Sequence, residues 1–426
     1  MNILIKDILA VVDCKIIKTD ICIGNSVILS LGEKPNGFIP EKVIDGKDKL
    51  AIPALINCHT HAYMSVFRNI ADDLPFNEWL FDKIMPLEDV VDEKDAYWGC
   101  MLSCIEMIKS GTGTFCDMHM FPNTTHTAAI KSGMRAVVSR GLSGGKNDVD
   151  GGKRRIKEAV EEIEKYSGNS LISFMIAPHA IYTCDKEYLL ETMSLADKFN
   201  LPLNTHLSES VFEVNSCLSQ NGVTPVKYLD SLGFFEHKTL AAHCVHLTEN
   251  DMDILSTKKV SVAANPKSNL KLGNGIAPIK QLLDKGVNIC LGTDGAASNN
   301  SLNLFSEMNF TALLHKGTSG DASAVSALDV LAFATGNGAK ALGIERLGKI
   351  EVGYKADIAI LDTNYPQMRP MNNPICALTY SATGNEVVTT IIDGKIVMEN
   401  RILTNIDVEE VYYNIEKITE KLRSTK

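Results

Sequence analysis

Apolar and polar positions divide the chain into three stretches. Over residues 1–50, ILIKDILAVV, CKIIKTDICIGN and SVILSLG group apolar residues in pieces of strand length, with Gly24-Asn25 and Gly32 as breaks. From about 51 to 340, short apolar runs are separated by longer amphipathic ones. The runs are LAIPALIN (50–57), TGTFCDM (112–118), MRAVVSRG (134–141), LISFMIAP (171–178), LPLNTH (201–206), TLAAHC (239–244), VSVAA (260–264) and VNICLGTD (287–294). Segments such as 95–111 and 154–166 carry the helical period between them. Strands alternating with helices in this way predict an α/β fold, either a parallel (β/α)8 barrel of TIM type or a doubly wound sheet. Beyond 345, LGKIEVGYKADIAILD and VVTTIIDGKIVMENRIL return to strand alternation. A last helix puts Val408, Val411, Tyr412, Ile415, Ile418 and Leu422 on one face. The β-rich ends, 1–50 and 345–426, are expected to pair as a small β-sandwich domain beside a 51–344 barrel, since chain termini often lie close together.

Composition narrows the class of protein. Hydrophobic residues make up 45% of the 426 and charged residues 22%, which excludes a disordered or fibrous chain. The net charge of −10 argues against nucleic acid or an anionic membrane as the main partner. It is compatible with a small nucleotide-like ligand, and an acidic barrel of this size with a homo-oligomer. The 11 cysteines include no CxxC pair, which suits reduced thiols in the cytoplasm better than disulfides or a cysteine zinc site. Lys6 and Asp7 interrupt the apolar N-terminus, so it reads as a strand and not a signal peptide.

Candidate chemistry sits at the strand ends. In INCHTHA, His59 and His61 are two apart, and residues i and i+2 of a strand share a face. Two imidazoles on one side form half of a divalent-metal site, although HxH alone is weak. His206 closes the fifth run with Glu209 three residues on, His243 closes the sixth, and Asp294 closes the eighth. Taken singly, each histidine reads as well as a hydrogen-bonded core residue, and Asp294 as a helix cap. Taken together they stand at the ends of different strands in one alternating series, and a (β/α)8 barrel opens all such ends on one face.

INCHTHAYMSVFRNIADDLPFNEWL, NTHLSES, AAHCVHL, ANPKSNLKLGNGIAPI and GTDGAASNN together resemble the amidohydrolase superfamily. More closely they are similar to the bacterial and archaeal 5-methylthioadenosine/S-adenosylhomocysteine deaminases. The resemblance covers nearly the whole chain. It implies hydrolytic deamination at C6 of an adenine nucleoside, with His59, His61, His206 and Asp294 holding one divalent metal, usually zinc. Relatives with two metals carry a lysine at the end of the fourth strand; here that end reads Ala177-Pro178-His179. The resemblance further implies that Glu209 gives a proton to the ring, that Asp294 takes one from the attacking water, and that His243 orients that water. Glu88 would accept from ribose hydroxyls and His179 would face the ribose or N3 side. Arg140 and Arg155, the latter interchangeable with Arg154 in alignment, would meet the carboxylate of a homocysteine tail. Met64, Phe67, Leu74, Trp79 and Met118 offer apolar material for a shorter thioether, or are core. Related ring substrates such as 5′-deoxyadenosine, adenosine, guanine, a pterin or an s-triazine, and a scaffold role without catalysis, are the competing readings.

Overall fold

In the computed structural model, which describes residues 1–424, the strand predicted over 50–57 divides at Ala54. Lys49–Pro53 pairs with Ile3–Val12 and Ile358–Asp362, in the sheet built from the chain ends. Leu55–Thr60 opens the barrel. The switch occurs because the Ala54 amide donates to Asp357 while the Leu55 amide donates to Gly111. The flanking unit therefore extends to Pro53, past the boundary expected at 50/51.

The other barrel strands are Thr112–His119, Arg135–Leu142, a fourth in two pieces (Ile172–Phe174 and Ala177–Pro178), Leu203–Leu207, Thr239–His243, Ser261–Ala264 and Asn288–Leu291. Every paired neighbour among them is parallel. A bridge between Ile176 and Leu203 joins the two halves. The eighth strand closes on the first through Thr293 and Asp294, whose amides donate to the His59 carbonyl at 3.2 and 2.9 Å. Inside, Ile56, Cys58, Cys116, Val137, Met175, Leu240, Ala263 and Cys290 fill the lumen, so the barrel is a packed core and not a pore. The helix Gly336–Leu342 plugs its floor; a Cβ on Gly338 would lie 2.9 Å from Ile56.

The helix predicted over 95–111 runs from Glu93 to Lys109. Asp92 caps it by accepting from the Asp95 amide, and Asp95 reaches back to the Asp92 amide. Against it packs the C-terminal helix Val408–Arg423, which buries Val411, Ile418 and Leu422. Tyr412, expected on that face, is 43% exposed, because one residue's rotation from Val411 carries it to the helix flank. The last two residues of the 345–426 segment lie outside the described residues. No described helix is long and apolar enough to cross a membrane.

The chain ends form one nine-stranded sheet, which curls over a core of Ile3, Ile5, Ile8, Ile21, Ile23, Ile28, Ile358 and Ile391. Arg135 ties this unit to the barrel. Its guanidinium donates to Asp357 at 2.9 and 3.1 Å and to Asp393 at 3.2 Å, all three side chains being largely buried. Removing one partner from such a group leaves uncompensated buried charge, at a cost of about 3–5 kcal/mol. Arg135→Met should lower the unfolding free energy in urea by that amount. An unchanged midpoint would show that the joint is held by packing alone.

Candidate active site

His59 lies on the first barrel strand and His61 just past its end. His206 lies on the fifth strand, His243 ends the sixth, and Asp294 follows the eighth. All five are buried. Left-handed backbone at Ser208 (φ 50°), His243 (φ 73°) and Asp294 (φ 61°) breaks each strand just where its functional side chain must turn inward. The result is convergence. Ligand atoms of His59, His61 and Asp294 lie within 4.8 Å of one another, and so do those of His59, His206 and His243. Asp294 Oδ1 stands 3.4 Å from Nε2 of both His59 and His61.

The hydrogen bonds around this cluster test whether a cation fits it. His61 Nδ1 donates to the Met118 carbonyl at 2.7 Å, His206 Nδ1 to the His179 carbonyl at 2.8 Å, and His243 Nδ1 to Asn269 Oδ1 at 2.8 Å. Because carbonyls only accept, the Nδ1 atoms carry the protons and the Nε2 lone pairs point inward. Nε2 of His61 and Nε2 of His206 then face each other at 3.2 Å, two acceptors with no proton between them. Among the described residues, neither ring nitrogen of His59 has a hydrogen-bond partner. Burial drops His59 to about 4 and holds His206 well below the ordinary histidine value, so these imidazoles are neutral at pH 7. Burial alone would raise Asp294, but the imidazoles around it, His59 first, keep it well below the usual carboxylate range. Ser268 and Ser298 donate to its Oδ2 at 2.6 and 2.7 Å, leaving Oδ1 for the cluster. Imidazole nitrogens and one carboxylate converging in this way suit a divalent metal.

Known proteins match the chain closely. The model of the amidohydrolase family matches residues 50–397. The chain belongs to that family. Among its relatives, a protein of Caldanaerobacter subterraneus named 5-methylthioadenosine/S-adenosylhomocysteine deaminase is 44% identical over 99% of both chains. Another, of Methanocaldococcus jannaschii, is named 5′-deoxyadenosine deaminase and is also 44% identical, over 96% of this chain and 97% of its own. A solved adenosine deaminase of Xanthomonas campestris, with bound zinc, superposes with a TM-score of 0.95 at 31% identity, over 99% of each chain.

In this amidohydrolase the cluster floors a cavity lined by His61, His206, Glu209, His243 and Asp294. Glu88, His179, Met64 and Trp79 also line it, whereas Phe67 and Met118 are core. Glu209 follows the fifth strand in a turn. Its Oε1 accepts from Asn274 at 3.0 Å, and its Oε2 stands 3.7 Å from His243 Nε2. Glu213 fixes that turn by accepting from the Ser208 and Glu209 amides at 3.0 and 2.9 Å. The Tyr63 hydroxyl donates to Glu88. Burial pushes His179 down to about 3, and its Nδ1 lies 3.0 Å from Thr183 Oγ1. Arg140 and Arg155 do not line the cavity. Arg140 donates to Glu158 at 2.9 Å and to the Gly141 carbonyl at 3.0 Å; Arg155 donates to Asp148 at 2.6 Å and to the Ser143 carbonyl at 2.9 Å. Arg154 is 64% exposed and faces Glu158.

Sequence reasoning missed Asn269, Asn274, Ser268, Ser298 and Glu213 as orienting groups. The first three fall inside ANPKSNLKLGNG and Ser298 inside GTDGAASNN, strings that carried the resemblance without roles for these residues. It missed Gly292 too. A Cβ there would meet Asn265 Oδ1 at 2.3 Å and the Cβ and amide nitrogen of His59 at 2.7 and 2.9 Å. Gly292→Ala should therefore displace His59 and lower metal content, read by elemental analysis. Full metal content in this variant would show that the strand can yield.

Proposed function

We propose that this amidohydrolase deaminates the adenine ring of 5-methylthioadenosine and S-adenosylhomocysteine hydrolytically at C6, releasing ammonia. The observation that carries the reading is the convergence of His59, His61, His206 and Asp294 with Glu209 and His243 beside them, in a chain 44% identical to relatives named for that reaction. We assign the first four as ligands of one divalent ion, zinc by analogy with the Xanthomonas neighbour. An ion of this kind lowers the pKa of water from about 15.7 toward 7 and so supplies a nucleophile at neutral pH.

The chain's own residues carry the rest. Asp294 takes a proton from the attacking water. His243, its Nδ1 proton committed to Asn269, presents Nε2 to the water and orients it toward C6. Addition at C6 breaks the aromatic ring, so N1 must gain a proton, and Glu209 supplies it. Asp294 then passes its proton to the departing amine; the C6–N bond breaks with its electron pair on nitrogen, the C6 hydroxyl gives its proton back to Glu209 as the carbonyl forms, ammonia leaves, and a hypoxanthine remains. Glu88, steadied by Tyr63, accepts from ribose hydroxyls, and His179 faces the sugar side of the ring. A second reading, 5′-deoxyadenosine as the main substrate, is favoured by the Methanocaldococcus relative.

Ammonia release from zinc-loaded protein decides the matter, with methylthioadenosine, S-adenosylhomocysteine, adenosine, 5′-deoxyadenosine and guanine offered separately. Turnover of the adenine nucleosides and not of guanine is expected. Release from guanine alone would overturn the assignment.

A further inference from the structure

One short helix, Pro266–Lys271, sends its polar side chains to segments that carry the site. Its Ser268 donates to Asp294 Oδ2 at 2.6 Å, and its Asn269 accepts from His243 Nδ1 at 2.8 Å. Lys271, at its end, has no part in the chemistry, yet its side chain is only 21% exposed. The Nζ atom donates to the Ala297 carbonyl at 3.1 Å and to Asn300 Oδ1, and stands 2.5 Å from Asp72 Oδ1. Asn300 Nδ2 in turn donates to Asn69 Oδ1 at 2.6 Å and to Asp72 Oδ1 at 3.1 Å.

These partners come from two walls of the cavity. Ala297 and Asn300 belong to the short helix Ala296–Asn299 and its cap, directly after Asp294. Asn69 and Asp72 begin a strap, residues 69–88, that contributes Phe76, Trp79, Met85 and Glu88 to the cavity lining. Trp79 Nε1 donates to the Ala297 carbonyl at 3.3 Å, so the strap and Lys271 share one acceptor, which a carbonyl with two lone pairs allows. Asn69 (φ 61°) and Asp73 (φ 60°) place left-handed backbone on either side of Asp72. Residues in that region persist where the surroundings hold them. Burial alone would raise the Asp72 carboxyl, but the bonds from Lys271 and Asn300 keep it below the usual carboxylate range. Bonds between charged partners of this kind are stronger than neutral ones.

We infer that Lys271 is a positioning residue: its ammonium latches the strap to the segment that follows Asp294, and so fixes Trp79 and Glu88 in the cavity wall. The kinetic part of the inference rests on the deaminase reading above; the structural part does not. The test uses the zinc-loaded full chain as wild type, Lys271→Met, Asp72→Asn and the double variant. Lys271→Met keeps most of the side chain's length and loses its charge. It should raise KM for methylthioadenosine about tenfold, the scale of one hydrogen bond to a charged group, with kcat within about threefold of wild type. Zinc content should be unchanged, because Asp294 keeps its bonds from Ser268 and Ser298. Hydrogen exchange of the backbone amides in 69–88 should quicken about tenfold while the barrel strands exchange as in the wild type. Asp72→Asn should act in the same direction to a smaller degree. The double variant should be no worse than Lys271→Met, because both substitutions cut one link. Wild-type KM and strap exchange in Lys271→Met would overturn the latch. So would additive losses in the double variant, or faster exchange spread over the whole barrel, since either marks a general packing role. A wild type that deaminates none of the adenine nucleosides would remove the deaminase reading, and strap exchange would still decide the latch.

Discussion

Glu209→Gln is expected to keep its metal and lose turnover by a factor of about 10²–10⁴, the usual worth of a positioned general acid. The substitution is nearly isosteric. A glutamine Oε1 still accepts from Asn274 Nδ2, and the Glu213 carboxylate still holds the two backbone amides that set the turn. What disappears is the transferable proton. Burial, with the Asp294 charge added, pushes the Glu209 carboxyl up to about 8 in the protein alone, so its acid form is populated at neutral pH. A cation held by the neighbouring histidines would oppose that rise, since a nearby positive charge favours the carboxylate. KM for the nucleoside should move little, because the proton is needed only as the ring is attacked. Elemental analysis showing full metal content, together with single-turnover rates, separates this outcome from a damaged site. A Glu209→Gln protein within a few-fold of wild-type kcat would take Glu209 out of the reaction.

The barrel and its ring of strand-end side chains were legible in the sequence because parallel strands buried on both faces read as continuous apolar runs. A polar residue closing such a run stands out. His59, His61, His206, His243 and Asp294 all do so. Less legible was whatever depends on loop geometry. Asn269 reaches His243 from the short helix Pro266–Lys271, and Asn274 reaches Glu209 from the turn after it, a stretch too short to show a helical period. Arg140 and Arg155 show another limit: in this structure each guanidinium is paired with a carboxylate of the chain itself, Glu158 and Asp148. Local ion pairing is invisible to a reading that places residues only by the strand they follow. The division at Ala54 was hidden for a related reason: the apolar run is unbroken there, and only the pairing partners change, from Asp357 to Gly111.

His59→Ala should abolish metal retention, and with it turnover. The argument turns on what His59 does when no ion is considered. Both ring nitrogens are buried without a hydrogen-bond partner among the described residues, a cost of about 1–3 kcal/mol per unsatisfied group. Packing alone does not explain a residue that polar at that position. A ligand to a cation does, since its Nε2 lies 3.4 Å from Asp294 Oδ1 and it belongs to both triads of the cluster. Loss of a residue that merely orients a ligand weakens metal binding about 10–100-fold, so loss of the ligand itself should exceed that. After dialysis, His59→Ala should hold little zinc where the wild type holds about one ion per chain, the single-metal stoichiometry its ligand set suits. Chelation should lower the wild-type Tm, because the ion binds the folded state and not the unfolded chain, and should leave the Tm of His59→Ala unmoved. A histidine kept for packing would give the reverse: unchanged metal content, and a Tm lowered equally with and without chelator. That result would dissolve the metal site and the proton transfers built around it.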